Sequence, residues 1–378
     1  MRVGIQADDL TGACDTGAPF AARGMETVVV VHDGDDPPPL PDPSPAVLVI
    51  DTESRERPPE EARARARWAG GVLRTGPARL LYKKVDSTLR GRVAAEIDGM
   101  LDGAGLSATL LAPAFPAQGR VVVDGQVRVE GRPTEETPIA RDPTFPPTGS
   151  SVLALLSAGG VWPTTAVPLG TVRRGREAVA VRIERFSEAG GRALAADAET
   201  ETDLSVLADA GCGRAGLLAG SAGLATALAE QGAVVAPRIR TTSPRRPLVV
   251  VAGSAHPATR AQLSRLERRA GVDVLASPAD PVAHDSARRR ETVARLADAA
   301  RSRVERARPG ALLLTGGETA IAVLRALGAR GLRLAGEIEP GLALGTLAGG
   351  PFDGLVLMTK AGGFGDADAM LRAWEACA

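Results

Sequence analysis

Two adjacent carboxylates, Asp8 and Asp9, close the first apolar run of the chain in the segment ADDLTG. A pair of acids where a strand hands over to a helix can hold a metal, accept hydrogen bonds from sugar hydroxyls or act as a general base. One of them can equally cap the helix beside Thr11. A second polar group, KKVDSTLRG, gathers Lys83, Lys84, Asp86, Ser87, Thr88 and Arg90 at the end of another apolar run. Two lysines and an arginine around a helix N-terminus make an anion site, because unpaired backbone N–H groups and the cations act in the same direction. A plain helix cap by Ser87 or Thr88 is the structural alternative. VIDTESR places Asp51, Thr52 and Arg55 at a third strand end, where Arg55 is either a second anion contact or an exposed arginine on a capped turn.

Three glycine loops follow apolar runs in the last third of the chain: AGSAHP around Ser254, TGGET (Thr315, Gly316, Gly317, Glu318, Thr319) and KAGGFG (Lys360 to Gly365, with Gly362 and Gly363). Glycine lets backbone N–H groups approach a phosphate, and a following helix offers its positive end. One such loop says little; three in one small domain point to a nucleotide or phosphate ligand. Lys360 either offsets phosphate charge or is solvated. Arg141 and Asp142, in EETPIARDP, either reach a site or pair with each other. His256 is a base or a structural contact, and Cys14 reads as packing. GCGRAG (211–216) spells the dinucleotide fingerprint but precedes an apolar run instead of following a strand, and the P-loop pattern is absent.

The elements that must position these residues alternate. Strands are predicted at Arg2–Ala7, Thr27–Val31, Ala46–Ile50, Leu80–Val85 and Thr109–Ala112, with helices at Cys14–Arg23, Pro59–Leu73 and Val93–Leu101. That alternation gives βαβ units and a parallel sheet. VVVDGQVRV reads as a hairpin around Asp-Gly. The stretch Ala233–Pro247, rich in Pro, Arg and Thr, is the predicted linker. Beyond it LVVVAGS opens a second unit, with strands at Ala311–Leu314 and Leu355–Thr359 and a closing helix at Asp366–Glu375. The expected architecture is α/β with two domains, 1–240 and 246–378, each a largely parallel sheet flanked by helices.

Composition removes several classes. Lys plus Arg number 45 and Asp plus Glu 45, so no basic excess exists for nucleic acid or an anionic membrane. Ten aromatics (six Phe, three Trp, one Tyr) are too few for base-stacking platforms. Three cysteines and three histidines share no metal-ligand spacing. There is no signal-peptide pattern and no apolar run of about 18 residues, so a cytoplasmic protein is expected; whether it is a homo-oligomer stays open.

Taken in order, ADDLTGACDTG, DTESR, KKVDSTLRG, APAFPAQGR, VEGRPTEETPIARDP, AGS, TGGET and KAGGFG resemble the motifs of the bacterial four-carbon acid sugar kinase family, over nearly the whole chain. The resemblance implies a kinase that uses ATP and Mg²⁺ to phosphorylate the terminal hydroxyl of a four-carbon sugar acid, in a cleft between the domains. It implies that the N-terminal domain holds the acid through Asp8, Asp9, Arg55 and the run Lys83, Lys84, Val85, Asp86, with Arg90 alongside. It implies that ATP is held by Ser254, Gly316, Gly317, Glu318, Thr319, Lys360, Gly362, Gly363 and Gly365. Asp9 or Asp86 would orient or deprotonate the hydroxyl. DDLTG and VDSTLRG are more similar to the threonate and erythronate branch than to the 3-oxo-tetronate kinases, which remain the alternative; an NAD(P)-dependent oxidoreductase lacks its fingerprint. Cys14 stands where many relatives carry a polar residue such as Asn, and the chain is somewhat short for the family.

Overall fold

Val3–Ala7 (β1) is buried at every residue, the mark of a strand covered on both faces. The structure is a computed structural model that describes residues 2–32, 34, 37–141, 149–161, 163–232, 247–254, 256–278 and 286–377. After β1 come α1 (Leu10–Ala22), β2 (Thr27–Val31), β3 (Val47–Asp51), α2 (Pro59–Thr75), β4 (Leu80–Lys84), α3 (Val93–Ala104) and β5 (Thr109–Ala112). A small sheet, β6 (Arg120–Val123), β7 (Gln126–Val129) and β8 (Arg132–Pro133), leaves the main one. The predicted hairpin is there, and both turn residues, Asp124 and Gly125, have positive φ (51° and 70°), as the tight Asp-Gly turn requires. Then follow α4 (Val152–Ala158), β9 (Thr164–Val167), α5 (Leu169–Val172), α6 (Arg176–Glu188), β10 (Ala193–Ala196), α7 (Glu201–Gly211), β11 (Leu217–Gly220) and α8 (Ala222–Gln231). The GCGRAG segment joins the end of α7 to β11, so it precedes a strand and is no dinucleotide loop.

The remaining elements are β12 (Leu248–Ala252), α9 (Pro257–Leu266), β13 (Val272–Ala276), α10 (Ser286–Ala307), β14 (Ala311–Thr315), α11 (Gly317–Ala326), β15 (Gly331–Glu339), β16 (Leu342–Ala348), β17 (Val356–Lys360) and α12 (Ala369–Cys377). No described helix is long and apolar enough to cross a membrane.

The chain forms two compact units, Met1–Thr16 with His32–Val234, and Gly17–Val31 with Val235–Ala378. This differs from a simple cut near residue 240. β2 pairs antiparallel with β15, Val30 opposite Gly331, and so travels with the C-terminal unit. The predicted linker lies, apart from Pro247, outside the described residues.

In the N-terminal unit the strand order is β3-β1-β4-β11-β5-β10-β9, parallel throughout. In the C-terminal unit β13-β12-β14-β17 are parallel, and β16, β15 and β2 continue antiparallel. Leu248, Val250, Leu313, Met358 and Met370 centre that unit's core.

Register decides what the sheets present. Ala7 lies opposite Asp51 and Gln6 opposite Lys83, so β1, β3 and β4 end together. Ala252 lies opposite Thr315, and Thr315 opposite Lys360, so β12, β14 and β17 do the same. In a parallel sheet those carboxyl ends are where ligands bind. Six of the motifs picked out by chemistry thus fall on two sheet edges, three to each.

Candidate active site

At the N-terminal unit's edge both readings of the acid pair hold at once. Asp9 accepts from the Thr11 hydroxyl (2.7 Å) and the Gly12 N–H (3.0 Å), so it caps α1. Arg55 lies across the two acids, with Nε and Nη2 donating to Asp8 (2.7 and 2.9 Å) and Nη1 and Nη2 donating to Asp9 (2.8 and 2.9 Å). Four of its five donor positions are thereby engaged. Arg55 is a clamp on two carboxylates, neither an exposed arginine nor a bare fork for a ligand. Burial opposes the charge of Asp8, but Arg55, Lys83 and Lys84 hold its carboxyl below the usual range. Gly91, at φ +97°, is pressed against this clamp: a Cβ there would stand 2.8 Å from Asp8 Oδ2.

The two lysines have opposite fates because successive β4 residues face opposite ways. Lys83 is fully buried, ion-paired with Glu96 at 2.9 Å and donating to the Lys84 carbonyl at 2.6 Å. It is a structural cation. Lys84 is 5 % exposed, lies close against Gly12, and has no hydrogen-bond or ion-pair partner among the described residues, although Asp8 and Asp86 both feel its charge. A buried ammonium without a partner is costly unless a ligand supplies the anion. The side chain of Val85 is buried and its N–H is bonded to the Gly220 carbonyl at 2.8 Å.

Asp86 accepts from the Thr88 N–H (3.0 Å) and hydroxyl and from Arg90 Nε (3.1 Å) through Oδ2, and from Arg90 Nη2 (2.9 Å) through Oδ1. Burial works against its charge, yet Arg90 and Arg55 hold the carboxyl well below the usual range. Three neighbours escaped the sequence reading. Glu96, buried on α3, neutralises Lys83 and accepts from the Ser54 hydroxyl; burial and Asp8 push its carboxyl up. Glu53 stands at φ +43° and accepts the Leu10 N–H at 3.2 Å, tying β3's end to α1. Arg120, in the APAFPAQGR segment, is half-buried; burial lowers its pKa, with Asp86, Arg90 and Asp15 acting on its charge. Asp142 and the Arg141 side chain lie outside the described residues. Cys14 is buried on α1, as packing requires.

The C-terminal unit brings its three glycine loops together at Ser254. A Cβ on Gly362 would overlap the Ser254 hydroxyl, one on Gly253 would overlap Thr319, and one on Gly316 would come within 3.2 Å of the Ser254 nitrogen. α11 starts at Gly317 directly behind, with no side-chain cap on its amides. His256 is a cap: its Nδ1 accepts from the Ala258 N–H at 3.2 Å. Glu318 pairs with Arg289 at 2.9 Å.

Lys360 is neither solvated nor aimed at a ligand. Its ammonium donates to the carbonyls of Ala361 (2.7 Å), Gly362 (3.2 Å) and Phe364 (2.9 Å). Burial lowers its pKa from 10.5 to about 8, against the opposing charge of Glu339. Between about pH 8 and 10.5 the unfolded chain therefore binds more protons at this site than the folded one, and stability from this group rises with pH. The thermal midpoint of the wild type, measured relative to Lys360→Met, is expected to climb from pH 7.5 to 10. A difference that stays flat contradicts the assignment.

Residues 3–228 match a family described as the sugar-binding N-terminal domain, and residues 293–370 one described as the nucleotide-binding C-terminal domain. The chain is 32 % identical to D-threonate kinase of Salmonella typhimurium, over 97 % of this chain and 96 % of that protein. It is 31 % identical to D-erythronate kinase of Heliobacterium modesticaldum, over 97 % and 95 %. A crystal structure of a Salmonella typhimurium protein superposes with a TM-score of 0.82 at 23 % identity, over 98 % of each chain, a likeness of fold.

Proposed function

This chain belongs to the four-carbon acid sugar kinase family, and on that footing we propose that it transfers the γ-phosphoryl group of ATP–Mg²⁺ to the terminal hydroxyl of D-threonate or D-erythronate, giving the 4-phosphate. One observation carries the reading: among the described residues, the N-terminal sheet edge pairs carboxylates with a buried ammonium that has no hydrogen-bond or ion-pair partner, while the C-terminal edge offers glycine loops whose amides at Gly362, Gly363 and Gly365 have no acceptor. The first suits a polyhydroxy acid and the second a polyphosphate.

Counting lone pairs assigns the roles. A carboxylate offers about four acceptor sites. Asp9 uses all of them on Arg55, Thr11 and Gly12, so it is a cap and a scaffold. Asp8 uses two, both on Arg55, and accepts a sugar hydroxyl. Asp86 Oδ1 uses one, and takes the terminal hydroxyl. Lys84 meets the carboxylate, with Arg90 beside it. Asp86, held well below the usual carboxylate range, is a weak base. In a loose phosphoryl-transfer transition state, orientation of the nucleophile matters more than its deprotonation.

The nucleotide's phosphates are placed against Ser254 and the amides around Gly316, Gly317, Thr319, Gly362, Gly363 and Gly365. Among the described residues no group of three or more His, Cys, Asp or Glu builds a metal cage. In this reading Mg²⁺ arrives on the nucleotide, since this ion keeps several waters and takes one or two carboxylates besides phosphate oxygens. When bound it neutralises charge on the transferring group.

The test is ADP release with ATP–Mg²⁺ against D-threonate, L-threonate, D-erythronate, 3-oxo-tetronate and a five-carbon aldonate. Turnover on D-threonate or D-erythronate above the others is expected. Preference for 3-oxo-tetronate would move the chain to that branch; turnover on none would refute the substrate class.

A further inference from the structure

Glycine loops can present either amides or carbonyls to a ligand, and which they present is decided by what lies behind them. Behind the loop at residues 361–366 lies α9. Thr259, fully buried, donates its hydroxyl to the Gly362 carbonyl at 2.8 Å. One turn on, Gln262, 1 % exposed, shares the two hydrogens of its amide nitrogen among the carbonyls of Phe364 (3.1 Å), Gly365 (3.2 Å) and Asp366 (2.7 Å). Positions three apart share a helix face, so one strip of α9 and the Lys360 ammonium hold every carbonyl from 361 to 366 except that of Gly363.

The peptide bond is planar and trans, so the C=O of one residue and the N–H of the next point in opposite directions. Anchoring the carbonyls of Ala361, Gly362 and Phe364 therefore aims the amides of Gly362, Gly363 and Gly365 away from the anchors. Among the described residues those three amides have no acceptor in the protein. An array of unpaired donors on residues that carry no side chains of their own is an anion cradle.

We propose that Thr259 and Gln262 are positioning residues for phosphoryl transfer: they touch no substrate, but they set the donor array that receives the nucleotide's phosphates. This rests on the reading of the 361–366 loop as part of the nucleotide site. Neither residue belongs to a glycine motif, and sequence alone gives no reason to single them out.

Three variants test it, with KM for ATP, KM for the sugar acid, kcat and ADP affinity by calorimetry as readouts. Thr259→Val keeps shape and removes one donor; it is expected to raise KM for ATP and the ADP Kd about fivefold. Thr259→Ser keeps the hydroxyl and should restore both. Gln262→Leu removes the anchor of three carbonyls and is expected to cost roughly 10- to 50-fold in both. KM for the acid should stay within about twofold in all three, since these hydrogen bonds lie wholly within the C-terminal unit and share no partner with the residues assigned to the acid. If Gln262→Leu fails to fold, the Val and Ser pair carries the test alone. Gly363→Val is the control for the underlying reading, because its side chain blocks the cradle directly. If Gly363→Val raises KM for ATP while Thr259→Val and Gln262→Leu leave it unchanged, the positioning role is wrong and the loop assignment stands. If Gly363→Val itself leaves ATP binding intact, the loop assignment falls and the positioning role with it.

Discussion

Asp86→Asn is expected to lower kcat by about a hundredfold or more while KM for ATP stays within about twofold. The reason is geometric. Asn keeps the size of Asp86 but replaces one acceptor oxygen with an NH₂ group. Oδ2 accepts from Thr88 and Arg90, and Oδ1 accepts a single hydrogen bond from Arg90. Whichever way the amide settles, either Thr88 and Arg90 Nε meet a donor, or Arg90 Nη2 meets one and the substrate hydroxyl loses the acceptor for its proton. The held-down carboxyl adds a second expectation. Asp86 stays ionised through the neutral range, so kcat between pH 5 and 8 should show no acid limb belonging to it. Asp9→Asn is expected to act differently: Asn can still cap α1, but it loses the charge and one of the acceptor oxygens that hold Arg55, so it should perturb KM for the acid through Arg55. Full kcat in Asp86→Asn would remove it from the chemistry and return Asp9 to consideration.

Lys84→Met should raise KM for the sugar acid by roughly 10- to 100-fold, the loss of a charge-assisted hydrogen bond to a carboxylate. Charge bookkeeping sharpens this. Asp8, Asp9 and Asp86 carry three negative charges, and Arg55, Arg90 and Lys84 three positive ones; Lys83 and Glu96 cancel each other. Without Lys84 the balance becomes −1, and an incoming carboxylate meets net repulsion. The same substitution should lower the thermal midpoint much less than Lys83→Met does, because Lys84 makes no hydrogen bond or ion pair among the described residues and acts on Asp8 and Asp86 only through its charge. Lys83→Met is the contrast. It strands buried Glu96 and should destabilise strongly, by about 3–5 kcal/mol. A Lys84→Met protein with unchanged KM for the acid, or one destabilised like Lys83→Met, would show that both lysines are structural.

The comparison of those lysines also shows what a sequence can and cannot tell. The motifs and the sheet edges were legible because strands announce themselves by apolar runs, and a parallel sheet delivers the residues after its strands to one edge. ADDLTG, DTESR and KKVDSTLRG met as expected for that reason. Partners were not legible. Adjacent Lys83 and Lys84 look equivalent in KKVD; their opposite fates depend on Glu96, one turn into a later helix. Arg55 looked like a ligand contact because nothing in DTESR says that Asp8, 47 residues earlier, accepts its guanidinium. Lys360 looked like a phosphate cation, while its loop folds back to use all of it. Seven strands, β8, β9, β10, β11, β13, β15 and β16, went unread; of these β10 and β11 read ALAA and LLAG, short runs rich in alanine or glycine with weak strand preference outside their packed context. The placement of β2 with the C-terminal unit depends on pairing with β15, some 300 residues away, for which TVVVV carries no local sign.

The most direct test of the central claim is the identity of the product. The protein is incubated with ATP–Mg²⁺ and D-threonate, then D-erythronate, and the acid is recovered for mass measurement and phosphorus–proton correlation spectroscopy. A gain of one phosphoryl group, with phosphorus coupled to the terminal methylene protons, is the predicted result. No mass gain on either acid, or phosphate on a secondary hydroxyl, would contradict it.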